Sequence, residues 1–156
     1  MVAVAGGVVS GAHEVLAAAS SVLVIDWPSR DVPDTLASAG FEVYVAGGPD
    51  TYSAVDLVDG QVVNRRVDHL PDVVDLVYAH RPFAELPRIL AKAKQLRATA
   101  VWRQSGVVAS GERDPTGCWV SDQESDDARA IVESAGLDYV DDAYIADTAR
   151  ELGIRA

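Results

Sequence analysis

Short apolar runs alternate along the chain with stretches whose apolar residues recur at helical spacing. Residues 21–26 and 74–79 are almost continuously apolar and end in loop residues, which is typical of strands buried on both faces of a parallel sheet. Residues 83–96 instead show the repeat of an amphipathic helix. The predicted strands are 21–26, 41–46, 61–64, 74–79, 99–102 and 137–140, and the predicted helices are 10–20, 33–39, 83–96, 122–135 and 147–152.

This alternation of strands and helices predicts the fold class. Repeated βαβ units with right-handed crossovers give an α/β protein with a doubly wound parallel sheet, a Rossmann-like three-layer α/β/α arrangement of about five or six strands. The chain has 156 residues, so residues 1–156 are expected to form a single domain, with residues 1–9 disordered. Residues 109–121 fit no element and are expected to form a long loop insert, functional or mobile.

Composition and charge limit the kinds of molecule that the chain is expected to bind. The chain carries 13 Lys and Arg against 24 Asp and Glu, a net charge of −11, and 49% of its residues are apolar. Such an acidic globular protein is expected to bind neither nucleic acid nor a membrane, because both repel a negative surface. An anionic ligand would therefore need individual arginines or backbone N–H groups.

Targeting and cysteine signals are weak. Residues 15–25 are apolar, but no basic residue precedes them, so we expect a cytoplasmic protein rather than a secreted one. The single cysteine, Cys118, excludes an internal disulfide framework and a cysteine-based zinc site. The paired aspartates at 126–127 and 141–142 read as helix and turn residues, and no metal site is predicted.

Ligands of open α/β sheets bind at the carboxyl ends of the strands, where the strand order reverses. Arg30, Arg81 and Arg103 place positive charge at these predicted ends, and Gly47-Gly48 would let the backbone approach a ligand closely. This pattern suits a phosphorylated ligand. Arginines that cap helix termini and an ordinary Gly-Gly turn explain it equally well, and both interpretations stay open.

Signatures of the common enzyme classes are missing from the sequence. There is no G-x-G-x-x-G after the first predicted strand, no phosphate-binding loop of the G-x-x-x-x-G-K-[ST] type and no G-x-S-x-G nucleophile elbow. Asp26 follows an apolar strand as in a receiver domain, but no second acidic residue stands beside it. We therefore predict no catalytic residue.

Four segments carry a resemblance to a known family. They are VDLVYAHRP at 74–82, AVWRQSGV at 100–107, AGLDYVDD at 135–142 and GFEV at 40–43. Together they resemble the small CoA-binding Rossmann proteins, a family related to the CoA-binding domain of succinyl-CoA ligase. The tryptophan–glutamine–glycine segment is the most specific of the four. The resemblance implies one Rossmann domain that holds coenzyme A by its nucleotide and pyrophosphate and has no catalytic residue of its own.

The resemblance and the strand-end positions together imply a set of ligand-binding residues at the ends of four strands. These candidates are Trp27, Ser29, Arg30, Gly47, Gly48, Ala79, His80, Arg81, Gln104, Ser105 and Gly106.

The chain also departs from the family pattern. The glycine–alanine–serine loop of the family, whose backbone amides take the phosphates, is replaced by Asp26-Trp27-Pro28-Ser29, which has no glycine and carries a negative charge. The asparagine–proline pair after the second strand is replaced by Gly47-Gly48-Pro49, and the late D-R-C motif by Asp142-Ala143-Tyr144.

Three functional hypotheses follow. The first is a module that binds CoA or a related nucleotide, with Ser29, Arg30 and Arg81 replacing the lost amide cradle. The second is a family member that has lost its ligand and acts as a structural or protein-interaction domain, either as a homodimer through Trp119 or with another protein. The third is an enzyme acting on an acyl-CoA, for which His80 is the one candidate base.

Overall fold

Seven strands form one sheet in the computed structural model, which describes residues 11–27, 30–48, 51–104, 122–141 and 143–153. The predicted disorder at residues 1–9 and the insert at 109–121 lie outside the described residues. The elements are α1 (Ala12–Ala18), β1 (Ser21–Val24), α2 (Asp31–Ser38), β2 (Glu42–Gly48), β3 (Thr51–Val58), β4 (Gln61–Val67), β5 (Leu76–His80), a 3-10 helix (Phe83–Glu85), α3 (Leu86–Gln95), β6 (Ala100–Gln104), α4 (Asp122–Ser134), β7 (Asp138–Val140) and α5 (Ile145–Leu152).

The strand order confirms the predicted fold class. The sheet runs β4-β3-β2-β1-β5-β6-β7, and the five strands from β2 to β7 in that order are parallel. Strands β3 and β4 are antiparallel additions at one edge. The sheet is therefore mostly parallel and Rossmann-like, with seven strands where five or six were predicted.

The additional strand comes from a hairpin. Asp59 and Gly60 both have positive φ, 50° and 78°, as a type I′ turn requires, and this turn joins antiparallel strands with the correct twist. Strand β3 was not predicted because its interspersed polar residues are typical of a half-buried antiparallel strand and lack the continuous apolar run of a buried parallel strand. The hairpin has a consequence for the site: no crossover helix follows β2.

Two cores lie on opposite faces of the sheet. Strand β1 is buried along its whole length, and its side chains alternate, so that Val22 and Val24 face one core and Leu23 the other. Helices α1, α2 and α5 cover the first face through residues such as Leu16, Leu36 and Ile145. Helices α3 and α4 cover the second face through residues such as Ile89 and Val132.

Hydrogen bonds of the Asp31 side chain link α2 to α5. The Asp31 carboxylate accepts hydrogen bonds from both terminal nitrogens of Arg150, at 2.9 and 3.0 Å, and from the hydroxyls of Thr35 and Tyr144, at 2.9 and 3.1 Å. The hydrogen bond from Arg150 is the main cause that lowers the pKa of Asp31 from 3.8 to about 2; the two hydroxyls act in the same direction, and burial opposes them. The native state therefore favours the charged form of this carboxyl.

We expect Asp31→Asn to lower the free energy of unfolding at neutral pH by on the order of 1 kcal/mol. The figure is small because the Asp31 and Arg150 side chains are 39% and 49% exposed, and solvent screens such a pair. A lowered native pKa gives stability that is present above pH 3.8 and is lost as the pH falls towards about 2. Urea unfolding at pH 7, 4 and 3 should show the difference from wild type shrinking, while Asp34→Asn should change little at any pH.

Candidate functional site

A groove of about 430 Å³ lies at the carboxyl end of β1, between Arg81, which follows β5, and Ala46 and Tyr52 of β2 and β3. Strand β2 pairs with one edge of β1, and β5 pairs with the other edge. The strand order therefore reverses at the carboxyl end of β1, which is the topological switch point. The groove lies on the face of α3. Its lining residues are Leu23, Ile25, Asp26, Ala46, Tyr52, Arg81, Glu85, Arg88, Ile89 and Lys92.

Two carboxylates hold Arg81 at the mouth of the groove. Its Nη1 donates to Asp26 Oδ2 at 2.9 Å and its Nε to Glu85 Oε2 at 3.0 Å, and its Nη2 also contacts the Glu85 carboxylate. The hydrogen bond from Arg81 lowers the pKa of Glu85, while Glu85 and then Asp26 raise the pKa of Arg81. Asp26 also accepts the backbone N–H of Trp27 at 2.8 Å. Two carboxylates thus hold one arginine in place at the switch point.

Helix α3 gives the groove a positive wall. Arg88 and Lys92 are four residues apart, so they lie on one face of the helix, and both line the groove. Lys92 Nζ donates to Tyr52 Oη at 3.1 Å and lies 5.6 Å from the centre of the Tyr52 ring. Together with Arg81 these residues place three cations on one groove in a chain whose net charge is −11.

Of the predicted site residues that the structure describes, Arg81 lines this groove. Ala79 is fully buried in the core on the same face. Trp27 packs against the core of the opposite face. His80 ends β5 and donates its backbone N–H to Asp26 O at 3.1 Å, and strand alternation places its side chain on the face away from the groove.

The other predicted residues lie elsewhere. Arg30 is exposed at the start of α2 and pairs with Asp34 at 3.2 Å. Gly47 and Gly48 belong to the last part of β2, next to a register shift between Ala46 and Gly48, rather than to a loop after it. Ser29, Ser105 and Gly106 lie outside the described residues.

Gln104 is part of a buried polar network. Its Oε1 accepts the hydroxyl of Tyr78 at 2.7 Å and its Nε2 donates to Ala143 O at 3.1 Å. The indole of Trp102 donates to the same carbonyl at 3.0 Å. The tryptophan and glutamine of the family segment therefore both bind the backbone that leads into α5, which is a structural reason for these residue types at this spacing.

The expectation that Arg103 supplies an accessible charge at the strand ends is wrong. The side chain is fully buried and its Nη2 donates to Glu124 at 2.7 Å, its Nη1 to Arg81 O at 3.1 Å and its Nε to Tyr139 Oη at 3.2 Å. Burial lowers the pKa of Arg103, but Tyr139 and Glu124 outweigh that effect and leave it raised. The Arg103 side chain therefore links β6 to Glu124 of α4 and to the backbone carbonyl of Arg81.

Tyr52, Glu85, Arg88 and Lys92 were missed by sequence reasoning. Tyr52 belongs to the strand that was not predicted. The other three lie in a segment that was predicted as an amphipathic helix from its apolar residues alone. Starting from Arg81, these three residues follow at successive intervals of four, three and four residues. That helical spacing is the signal that could have identified a polar stripe beside a strand end.

Among the described residues, no group of three His, Cys, Asp or Glu side chains is arranged to hold a metal ion. In the same part of the chain, every helix is too short or too polar to cross a membrane.

The fold and the groove define a Rossmann-like α/β domain with a candidate ligand site at its switch point. Residues 23–149 match the family model described as CoA binding domain, so the chain belongs to that family. A solved structure titled Prb, the PH1109 protein redesigned for binding, is 17% identical, with a TM-score of 0.58 over 90% of this chain and 89% of that one. At this identity the likeness shows the fold alone. No curated protein matches the chain significantly.

Proposed function

We propose that this chain binds CoA in the groove at the switch point and acts as a binding module. The observation that carries the proposal is the set of three cations, Arg81, Arg88 and Lys92, on one groove of a strongly acidic chain that belongs to a CoA binding domain family. CoA carries a pyrophosphate and a 3′-phosphate. Guanidinium and ammonium groups bind such phosphates through charge-assisted hydrogen bonds.

In this proposal, the positive wall binds the phosphates in place of the loop after the first strand. In the family pattern that loop is the glycine–alanine–serine loop, and here Asp26 stands in its place. A carboxylate repels phosphate, so we place the phosphates against Arg88 and Lys92 of α3 rather than against the β1 loop. The groove volume of about 430 Å³ lies within the range of about 300–1,000 Å³ that is usual for small-molecule sites.

We further propose that the groove binds without catalysing a reaction. Its two carboxyl groups are both engaged by Arg81, and that contact lowers the pKa of Glu85, which makes this side chain a poor general acid. Among the described residues that line the groove there is no serine, cysteine or histidine to act as a nucleophile or as a base near neutral pH.

Thermal unfolding with separate additions of CoA, acetyl-CoA, ADP, NAD and S-adenosylmethionine tests the proposal. A ligand at about 100 times its Kd stabilises the native state by roughly 2.7 kcal/mol, which raises the Tm of a domain of this size by about 5–10 °C. We expect this rise with CoA and acetyl-CoA and little change with the others. A CoA affinity weaker than millimolar would overturn the proposal and favour a member that has lost its ligand.

Asp26→Asn should strengthen CoA binding by about threefold to tenfold. The substitution removes one of the two carboxylates that occupy Arg81, so the guanidinium becomes available to a phosphate, and it removes a repulsive charge. Titration calorimetry of the variant against wild type measures the change. The matched control is Asp59→Asn in the exposed hairpin turn, which alters the net charge equally and should leave the affinity unchanged. Weaker binding by Asp26→Asn would show that the carboxylate contributes to the site.

A further inference from the structure

A second cavity of about 310 Å³ adjoins the groove along α3. It is lined by the segment that follows β4, residues 68–72, and by Gln95 and Leu96 near the end of α3. Tyr52 and Lys92 line both cavities. The two spaces are therefore neighbouring compartments, and the Tyr52–Lys92 contact, 3.1 Å from Nζ to Oη, lies between them.

The hairpin explains why this space exists. In a fully doubly wound sheet a crossover helix after β2 would cover this face, but here β2 turns directly into antiparallel β3. Helix α3 packs on β5 and β6, and both cavities lie between this helix and Tyr52 at the start of β3. Arg88 and Lys92 line the groove, and Lys92 and Gln95 line the second cavity. The three residues follow one another at helical spacing over about 10 Å.

The two compartments differ in charge. The groove is lined by Arg81, Arg88 and Lys92 and by two carboxylates that Arg81 already binds, Asp26 and Glu85, whereas the second cavity is lined by Asp68, Asp72, His69 and Gln95 and shares Lys92. An anionic group is favoured beside Arg88 in the groove and disfavoured beside Asp68 and Asp72 in the second cavity. The carboxylates and the amide of the second cavity can accept hydrogen bonds from a part of a ligand that carries N–H groups.

We propose that the two cavities form one elongated binding site, in which the phosphorylated head of the ligand occupies the groove and an uncharged, amide-containing arm crosses the Tyr52–Lys92 contact into the second cavity. The inference rests on the proposed function, since CoA has this division into a phosphorylated nucleotide and an arm with two amides. It adds a subsite for the arm, and it predicts that ligands with a carboxylate at the end of the arm are disfavoured by Asp68 and Asp72.

Calorimetric titration with CoA and with 3′-phosphoadenosine 5′-phosphate (3′,5′-ADP) tests the subsite, since 3′,5′-ADP keeps the adenosine, the 3′-phosphate and one 5′-phosphate but has no arm, and Gln95→Trp separates the contribution of the arm from that of the missing phosphate. Wild type should bind CoA at least about tenfold more tightly than 3′,5′-ADP. Gln95→Trp fills the second cavity and should remove most of that advantage while leaving the affinity for 3′,5′-ADP unchanged. Lys94→Trp, on the same helix but outside both cavities, should change neither affinity.

A second measurement covers the case in which the exposed indole of Gln95→Trp turns away from the cavity. In ¹H–¹⁵N spectra of the wild type, CoA should shift the amide signals of Asp68, His69, Leu70 and Asp72, and 3′,5′-ADP should not. Equal affinity of wild type for the two ligands, or CoA binding without shifts in this segment, would overturn the subsite and leave the proposed function standing. If neither ligand binds, the proposed function fails, and the subsite fails with it.

Discussion

Arg88→Glu is expected to weaken CoA binding by about tenfold to a hundredfold. A hydrogen bond to a charged group contributes about 1.5–3 kcal/mol, each 1.4 kcal/mol is a factor of ten in affinity, and the new carboxylate adds repulsion. Arg88 is exposed on α3 and lines the groove, so the change removes a phosphate partner without opening the core. Titration calorimetry gives the change directly.

Lys94→Glu is the matched control for this variant. It lies on the same helix, is exposed and makes the same change in net charge, but it does not line the groove. We expect its CoA affinity to stay within about twofold of wild type in 150 mM salt, where the Debye length is about 8 Å. Equal losses in the two variants would mean that binding follows overall charge, and the assignment of the groove would then be wrong.

Arg103→Ala should lower the free energy of unfolding by about 3–5 kcal/mol. Breaking a buried ion pair leaves its partners without compensation, and here Glu124, Tyr139 and the carbonyl of Arg81 all lose a donor. The side chain is fully buried and is among the largest in the core, so the change also leaves a cavity. Denaturant unfolding measures the loss, and the Tm should fall by about 10 °C.

Arg129→Ala is the comparison for Arg103→Ala. Arg129 lies over the same Tyr139 ring, at 5.6 Å, and pairs with Glu133 at 3.3 Å, but its side chain is 28% exposed. Solvent can replace most of its interactions, so we expect a cost of about 1 kcal/mol. A cost for Arg103→Ala no greater than this would contradict the structural role of the buried arginine.

The fold could be predicted because the signals for buried parallel strands are strong. Residues 21–26 and 74–79 are apolar on both faces, and only a sheet covered on both sides accommodates such runs. The hairpin was harder to predict, since Asp56 interrupts the apolar pattern of β3 and half-buried strands have weak preferences. The Asp59-Gly60 turn was recognised, but only the strand after it was assigned.

The candidate site could be predicted only in part. Position along the sheet was enough to find Arg81, because a residue directly after a central strand must lie near the switch point. Sequence alone did not show that Arg103, one residue before the end of β6, is buried and forms an ion pair with Glu124. Nor could it bring Lys92 to Tyr52, forty residues apart, because that contact depends on the unexpected strand β3.

If the groove binds CoA as proposed, binding depends on its three cations. The most direct test is calorimetric titration of CoA into the wild type and into a variant with Arg81, Arg88 and Lys92 all replaced by alanine, after circular dichroism has shown that the variant is folded. We predict one CoA per wild-type chain with a submillimolar Kd and no measurable binding by the variant. Equal binding by the two proteins would place CoA outside the groove. No binding by the wild type would contradict the proposed function.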